Sequence, residues 1–309
     1  MQKLLIDGKK TLSGSINISG SKNSALPILA ATILNNQTTI QNIPFVNDIF
    51  TMLDLLKFIG LKYKLSKKKN SVEVINQNKN INTIAPYKLV KTMRAGVLVL
   101  GPLLARYKKA KVSLPGGCAI GSRPVDLHLF ALKKLGAKIR IKNGYILASA
   151  VNGLKGAKFK FPSISVGATE NAILAAVQAK GITIIENCAI EPEIKDLINF
   201  LIKLGVKIKI TGRKIRIERS IQQKKISHKV ICDRIELGTY LIGGALAAHK
   251  LMLRNIDPSL IKKEINILKK MGVKMDVGQN YIKVYKTKNI KNIKIKTDPY
   301  PGFPTDLQA

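Results

Sequence analysis

The chain has no tryptophan, and aromatic residues make up only 5% of its 309 residues. Side chains that could stack on unpaired bases are therefore scarce. Acidic residues are also few, since 18 Asp and Glu stand against 53 Lys and Arg, which gives a formal net charge of +35. The excess is mainly Lys, spread through every segment together with abundant Ile and Asn. This even spread indicates a compositional bias, so we expect nonspecific adhesion to polyanions at low salt and no specific nucleic-acid partner.

Long hydrophobic runs are missing as well. No apolar stretch approaches the roughly 20 residues that a membrane-spanning helix needs. The first residues, MQKLLIDG, break after three apolar positions, unlike a signal peptide. The three cysteines, Cys118, Cys188 and Cys232, are odd in number and widely spaced, which is typical of reduced thiols. We therefore expect no membrane insertion and a cytoplasmic location.

Motifs for metals and nucleotide cofactors are absent too. The histidines, His128, His228 and His249, lack metal-ligand spacing, and there is no Cys-x-x-Cys pair. Neither a Walker loop nor a Gly-x-Gly-x-x-Gly fingerprint occurs. The sequence therefore predicts no bound metal and no cofactor.

What the chain does contain is an internal repeat. Amphipathic helix patterns end at four glycines spaced 76, 69 and 67 residues apart, which are Gly60, Gly136, Gly205 and Gly272. Each is followed by an alternating strand pattern such as 137–141, as expected of a glycine just past a helix end. The hydrophobic content of 46% is enough for a large core divided between two domains.

A second pattern accompanies these glycines. Helices rich in small apolar residues are predicted over 24–34, 168–179 and 237–249, each followed by a strand and a turn. Because such helices are apolar on all sides, we expect surrounding sheets to bury them. The repeating unit is strand, helix, strand, helix, strand over about 70 residues, which predicts an α/β fold. A fifth unit would begin with a strand over 293–297.

The segment LPGGCAIGSRPVDLH, residues 114–128, carries the strongest chemical signal. Its first half is Pro and Gly, which excludes a helix or a central strand and predicts a mobile loop. Cys118 lies at its centre, and the guanidinium of Arg123 would favour the thiolate or help the thiol to exchange its proton. A thiol and a fixed cation in a mobile loop suit an anionic substrate.

Predicted helix starts mark further candidate anion sites. Pro124 fits the first turn of a helix over 125–135, in which Asp126 would face the positive end of the helix dipole. Lys22 and Asn23 open an apolar helix whose free N–H groups could bind an anion. From the residues alone, Lys22 and Asn23 are explained equally well by an ordinary helix cap with a solvated Lys.

Five segments taken together resemble the UDP-N-acetylglucosamine enolpyruvyl transferases, and the resemblance runs from Met1 to Ala309. They are SGSKNSA at 19–25, LPGGCAIGSRPVDLH at 114–128, SVGAT at 165–169, DRIE at 233–236 and FPTD at 303–306. That family transfers the enolpyruvyl group of phosphoenolpyruvate to UDP-N-acetylglucosamine and releases phosphate, which opens peptidoglycan precursor synthesis. The resemblance thus implies a transferase of cell-wall biogenesis that acts on these two small molecules and is a target of fosfomycin.

The resemblance also implies roles for individual residues. Cys118 would protonate the methylene carbon of phosphoenolpyruvate, and Asp306 would take the proton of the sugar 3′-hydroxyl, although Asp306 alone also reads as a helix N-cap. Lys22 and Arg123 would hold the phosphate. Further substrate contacts would be Asn23, Arg94, Pro124, Val125, Asp126, Leu127, Ser165, Val166 and Gly167. Ser163 stands where close relatives often carry a Lys, so one phosphate contact departs from the family pattern.

The family fold has six repeats in two inside-out α/β domains, with helices inside and sheets outside. By resemblance, residues 22–230 form a complete three-repeat catalytic and nucleotide-sugar domain. Residues 1–21 with 231–309 form a partial second domain, and about a quarter of the family's length would be missing after Ala309. The alternatives are an inactive remnant of this enzyme, a shikimate-pathway enolpyruvyl transferase and a basic RNA-binding protein. The shikimate-pathway family lacks the Cys118 loop, which argues against that alternative.

Overall fold

The computed structural model describes residues 3, 5, 8, 12–78, 81–116 and 124–308. Contacts between Cα atoms divide the chain into two units. Unit 1 comprises residues 1–20 with 231–309, and unit 2 comprises residues 21–230. Unit 2 is therefore inserted into the sequence of unit 1.

Regular structure recurs along the described part of the chain. The helices are α1 (Lys22–Ala31), α2 (Asn47–Ile59), α3 (Tyr87–Val90), α4 (Leu100–Tyr107), α5 (Asp126–Lys134), α6 (Val166–Ala176), α7 (Pro192–Lys203), α8 (Arg234–Ala247) and α9 (Lys262–Lys270). Short 3₁₀ segments cover Thr32–Leu34, Arg94–Val99, Pro258–Ile261 and Thr305–Leu307. The strands are β1 (Leu12–Asn17), β2 (Gln37–Gln41), β3 (Lys62–Ser66), β4 (Ser71–Ile75), β5 (Ile84–Ala85), β6 (Lys109–Ser113), β7 (Lys138–Lys142), β8 (Tyr145–Ser149), β9 (Lys158–Lys160), β10 (Ile182–Glu186), β11 (Lys207–Thr211), β12 (Lys214–Glu218), β13 (Lys225–Lys229), β14 (Ala248–Arg254), β15 (Met275–Val277) and β16 (Tyr281–Tyr285).

The described strands form four sheets that share one pairing pattern. In each sheet a first strand pairs in parallel with a second, and the third and fourth strands follow antiparallel. The orders are β1-β14-β16-β15 in unit 1, and β13-β2-β4-β3, β5-β6-β8-β7 and β9-β10-β12-β11 in unit 2. Because β13 pairs with β2, the last strand of unit 2 returns to its first. Each sheet has four strands, one more than the predicted repeat, because the strand after the second helix forms an antiparallel hairpin with a further strand.

The sheets bury one face, and the helices lie inside. In β4, β8 and β16 alternate residues are buried, as expected of strands packed on one side only. In unit 2, every residue from Ser24 to Ala31 of α1 and from Ala168 to Ala176 of α6 is buried. Helix α1 packs against α2 and α7, and α6 packs against α4 and α5. Helices inside and sheets outside confirm the predicted inside-out α/β architecture for this unit.

The four repeat glycines close their helices as predicted. Gly60, Gly136, Gly205 and Gly272 have φ of 118°, 88°, 88° and 90°, in the left-handed region that a side chain disfavours. At Gly60 the N–H donates to the carbonyl oxygens of Leu56 and Lys57, which satisfies the free end of α2.

Some predicted boundaries were wrong. The strand expected over 293–297 does not form, since this stretch contributes only an isolated bridge between Thr297 and Phe303. The helix expected over 125–135 begins at Asp126 with Val125 as its cap, so Pro124 lies before the cap and outside the first turn. The helix expected over 237–249 ends at Ala247, and the chain continues directly into β14.

Candidate active site

The start of α1 presents Lys22 and Asn23 as the sequence predicts. The hydroxyl of Ser21 caps the helix by accepting a hydrogen bond from the Ser24 N–H. Asn23 is exposed, and the Lys22 ammonium lies 3.1 Å from a carboxylate oxygen of Asp48 in the first turn of α2. Sequence analysis missed Asp48, because nothing in the spacing relates a residue of α2 to the start of α1. Both side chains of the pair are partly exposed, so a ligand can reach the Lys22 ammonium.

The start of α5 carries four of the predicted substrate contacts. Val125 is buried and anchors the helix, whereas Pro124 and Asp126 are exposed and Leu127 is half-buried. Val125, the cap residue of α5, makes no side-chain hydrogen bond to the first N–H groups of the helix. The carboxylate of Asp126 is exposed, so a ligand can reach it.

The start of α6 is a second uncrowded helix N-terminus. Ser165 caps it, because its hydroxyl accepts from the Ala168 N–H at 3.3 Å and its carbonyl accepts from the Thr169 N–H at 3.0 Å. Within the described residues the N–H groups of Val166 and Gly167 make no hydrogen bond. A helix N-terminus with free N–H groups attracts anions. Ser163 is exposed and supplies no cation here.

His128 links the starts of α5 and α6. It is only 4% exposed, and its Nδ1 lies 3.1 Å from the amide nitrogen of Asn171 in α6. Burial, and to a smaller extent the nearby cation of Arg94, together lower the pKa of His128 to about 4. Arg94 itself is exposed at the first position of its 3₁₀ turn. The ring is therefore neutral at physiological pH.

A group of buried carboxyls lies deeper in unit 2. Burial raises the pKa of Glu170 well above its ordinary value, and the neighbouring Glu193 and Glu191 raise it further. All three side chains are buried. Like charges in a buried site oppose one another's ionisation, so the protonated form of Glu170 is favoured. Sequence analysis did not find this group.

A buried polar contact also ties α1 to α7. The hydroxyl of Ser24 donates to one carboxylate oxygen of Asp196, and the other lies 2.9 Å from His228 Nε2. Side chains of Asp196 and His228 are both 4% exposed. Ser24 and Asp196 are 172 positions apart, and Asp196 and His228 are 32 positions apart. The Ser24 contact fixes α1, the helix that presents Lys22, against α7.

Three acidic residues of the recognised motifs lie in unit 1. Asp306 is exposed within the 3₁₀ turn Thr305–Leu307, whose cap is Pro304, so Asp306 is not the N-cap. Asp233 caps α8 through hydrogen bonds from the N–H groups of Ile235 and Glu236. Glu236 in turn accepts from the Ser19 N–H at 3.1 Å. Asp306 is thus accessible for chemistry, whereas Asp233 and Glu236 hold the backbone.

The two described cysteines are buried thiols. Cys188 is fully buried and Cys232 is 6% exposed. Burial raises the pKa of Cys188 to about 12 and raises that of Cys232 as well. Both are therefore poor nucleophiles and poor proton donors at neutral pH. Cys118 and Arg123, the remaining predicted catalytic residues, lie outside the described residues.

Across the described residues, no cluster of His, Cys, Asp and Glu is arranged to hold a metal ion. The helices described are likewise all too short or too polar to cross a membrane.

Comparison with known proteins assigns the family. The profile of the family described as EPSP synthase (3-phosphoshikimate 1-carboxyvinyltransferase) matches residues 6–309, and the chain belongs to this family. A UDP-N-acetylglucosamine 1-carboxyvinyltransferase of Pelagibacter ubique (strain HTCC1062) is 57% identical over 100% of this chain and 74% of its own length. Proteins of the same name from Endomicrobium trichonymphae and Rickettsia akari (strain Hartford) are 51% and 48% identical with the same coverage.

Solved structures agree on the fold. The enolpyruvyl transferase NikO from Streptomyces tendae superposes with a TM-score of 0.85 at 21% identity, over 97% of this chain and 72% of that one. An EPSP synthase from Acinetobacter baumannii superposes with a TM-score of 0.75 at 18% identity, over 93% and 67%. The chain therefore has the enolpyruvyl transferase fold.

Proposed function

We propose that this chain transfers the enolpyruvyl group of phosphoenolpyruvate to the 3′-hydroxyl of UDP-N-acetylglucosamine, in the cytoplasm, as a step of peptidoglycan precursor synthesis. The observation that carries the proposal is the identity of 48–57% over this whole chain, and over 74% of their own length, to relatives named for that acceptor. The EPSP synthase structure is only 18% identical, which favours the nucleotide sugar over a shikimate-type acceptor. The same identity favours an enzyme over a basic RNA-binding protein.

The chemistry needs an acid, a base and a cationic pocket. The Cys118 thiol would give its proton to the methylene carbon of phosphoenolpyruvate, which leaves the adjacent carbon electron-deficient. The sugar hydroxyl attacks that carbon while Asp306 takes the hydroxyl proton. Loss of a proton from the former methylene carbon then expels phosphate and restores the double bond. Lys22 and Arg123 stabilise the charge on the phosphate.

Features of the described residues support these assignments. Lys22 is held at an exposed helix start, and Asp306 is accessible to solvent. Cys188 and Cys232 are buried with raised pKa values, so neither competes for the role of acid. Unpaired thiols are also typical of a reducing compartment, in keeping with a cytoplasmic location.

Thiol labelling tests the proposal directly. Fosfomycin should alkylate Cys118 in the presence of UDP-N-acetylglucosamine, and mass spectrometry should find Cys188 and Cys232 unmodified. The Cys118→Ala variant should lose the label, whereas the control Cys188→Ala should keep it. Phosphate release from phosphoenolpyruvate should depend on UDP-N-acetylglucosamine and not on shikimate 3-phosphate. Labelling of a buried thiol, or stimulation by shikimate 3-phosphate, would contradict the proposal.

A further inference from the structure

The side chain of Asn171 has an orientation that its neighbours dictate. Its Oδ1 accepts from the Gly101 N–H at 2.7 Å, and its Nδ2 lies 3.2 Å from the carbonyl oxygen of Val97. A flipped amide would set a donor against the Gly101 N–H and an acceptor against the Val97 oxygen. The network therefore assigns Nδ2, a donor, to the side that faces His128.

This orientation decides the tautomer of His128. Because Asn171 Nδ2 donates, His128 Nδ1 at 3.1 Å must accept, and the single proton of the neutral ring is on Nε2. Within the described residues Nε2 makes no hydrogen bond. A ring that is 4% exposed thus keeps one donor unused.

The unused donor lies against the start of α6. A Cβ placed on Gly167 would lie 3.2 Å from Cε1 and 3.4 Å from Nε2 of His128. The N–H groups of Val166 and Gly167 are the ones that the Ser165 cap leaves unsatisfied. The Nε2 donor of this 4% exposed residue therefore lies beside the helix start that carries the two free backbone donors, and a side chain at Gly167 would crowd the ring.

The charges favour an anionic ligand at this point. The ring is neutral, since burial and Arg94 both disfavour its protonation, and so it can donate without adding a charge in the interior. The exposed guanidinium of Arg94 and the positive end of the α6 dipole supply the attraction. Free N–H donors beside a cation fit the oxygens of a phosphate or a diphosphate.

We propose that His128 binds substrate, donating a neutral hydrogen bond from Nε2 to the diphosphate of the nucleotide sugar, and that Asn171 is the positioning residue that fixes its tautomer. The role of His128 rests on the proposed function, because it assumes a nucleotide-sugar acceptor. The tautomer of the free protein does not depend on that assumption.

Nitrogen-15 NMR of histidine-labelled protein tests both parts. The sequence has three histidines, so substitution of each assigns the spectrum. We expect His128 to remain the Nε2–H tautomer from pH 5 to pH 8 and its Nε2 resonance to shift when UDP-N-acetylglucosamine binds, but not with N-acetylglucosamine alone. An Nδ1–H tautomer, or an unmoved Nε2 resonance in protein that calorimetry shows to bind the nucleotide sugar, would overturn the assignment. Absence of any binding would overturn the proposed function together with the role of His128, while the tautomer would still be measured.

Matched substitutions separate binding from packing. His128→Asn keeps an acceptor for Asn171 but removes the donor at Nε2, whereas His128→Gln keeps a donor near that position. We expect the Asn variant to weaken UDP-N-acetylglucosamine binding about 10-fold to 100-fold, as for a lost hydrogen bond to a charged group, and the Gln variant to stay within about 3-fold. His249→Gln, on the exposed end of β14, is the control. Equal losses in the Asn and Gln variants would show that the ring only fills space, and the NMR measurement on the unaltered protein decides the tautomer if either variant fails to fold.

Discussion

Helices α6 and α8 are alike in sequence and differ in their surroundings. Both are rich in small apolar residues, and both have a side-chain N-cap, Ser165 or Asp233. Nine of the eleven residues of α6 are buried, against five of the fourteen of α8. Leu246 on α8 is 74% exposed. An apolar sequence thus predicts that a helix can be buried, and the neighbours that reach it decide how far it is.

The neighbours explain the difference within each unit. Helix α6 packs against α4, α5 and α7, so its polar side chains Glu170 and Asn171 must find partners in the interior. Helix α8 packs against β14, β16 and the 3₁₀ turn Thr305–Leu307. Its opposite face, which carries Gly243 and Leu246, is exposed. Because α6 is packed on all sides, burial shifts the pKa values of Glu170 and His128, and Asn171 has defined hydrogen-bond partners.

The largest expected effect comes from Gly101→Ala, which tests how rigid the surroundings of α6 are. The new Cβ would lie 2.4 Å from Asn171 Oδ1 and 2.6 Å from the Asn171 carbonyl oxygen, so α4 and α6 would have to separate. We expect a loss of about 3 kcal/mol in the unfolding free energy of unit 2, measured by urea titration. In the control Gly238→Ala of α8 the clash is with the tip of the Leu307 side chain, which can move. A loss of equal size in both variants would show that the surroundings of α6 are no more rigid than those of α8.

The second effect is a pH dependence that arises from His128. Its folded pKa of about 4 lies below the unfolded value of about 6.5, so the unfolded chain binds the proton first as pH falls. Stability is full above pH 6.5, is lost between pH 6.5 and 4, and is constant below. The loss should reach up to about 3 kcal/mol. Because Glu170 acts in the opposite direction, the measured quantity is the difference between wild type and His128→Gln across this window, and a flat difference would contradict the buried neutral ring.

A smaller effect is expected from Glu170→Gln. The raised folded pKa of Glu170 means that its contribution to stability is full below the unfolded pKa and is lost as pH rises through the folded value. The variant should therefore gain about 1–2 kcal/mol at pH 8 and nothing at pH 4, seen as a higher Tm at pH 8 only. Glu264→Gln in unit 1, where burial raises the pKa but Arg234 opposes the shift, should gain less. Equal gains would mean that burial alone, and not the neighbouring carboxylates, sets the free-energy cost of ionising Glu170.

The smallest effect tests the exposed face of α8. A Cβ on Gly243 would meet nothing within 4 Å, so Gly243→Ala should stabilise unit 1 by about 0.5–1 kcal/mol through helix propensity. Thermal unfolding monitored on unit 1 measures it. A destabilised variant would show that another surface covers this face of α8 in solution, and the contrast with α6 would then be smaller than described.

Local patterns predicted much of the fold. The four glycines at helix ends were found from spacing alone, and each has the positive φ that a helix end requires. The alternating pattern over 137–141 predicted strand β7 to within one residue of its observed bounds, because alternation over a few residues depends only on their order. The strand expected over 293–297 fails for the complementary reason, since a strand needs a partner along its length and the described residues supply only the single bridge from Thr297 to Phe303.

The candidate site divides in the same way. The sequence by itself predicted the starts of the helices that present Lys22, Asp126 and Gly167 to within two residues, because apolar periods are local properties. Only the tertiary structure decided that Asn171 orients His128. The two are 43 positions apart, and only the packing of α5 on α6 makes them neighbours. Hydrogen-bond direction, burial and pKa depend on which distant groups come within a few ångströms, and no short-range pattern in the chain records that distance.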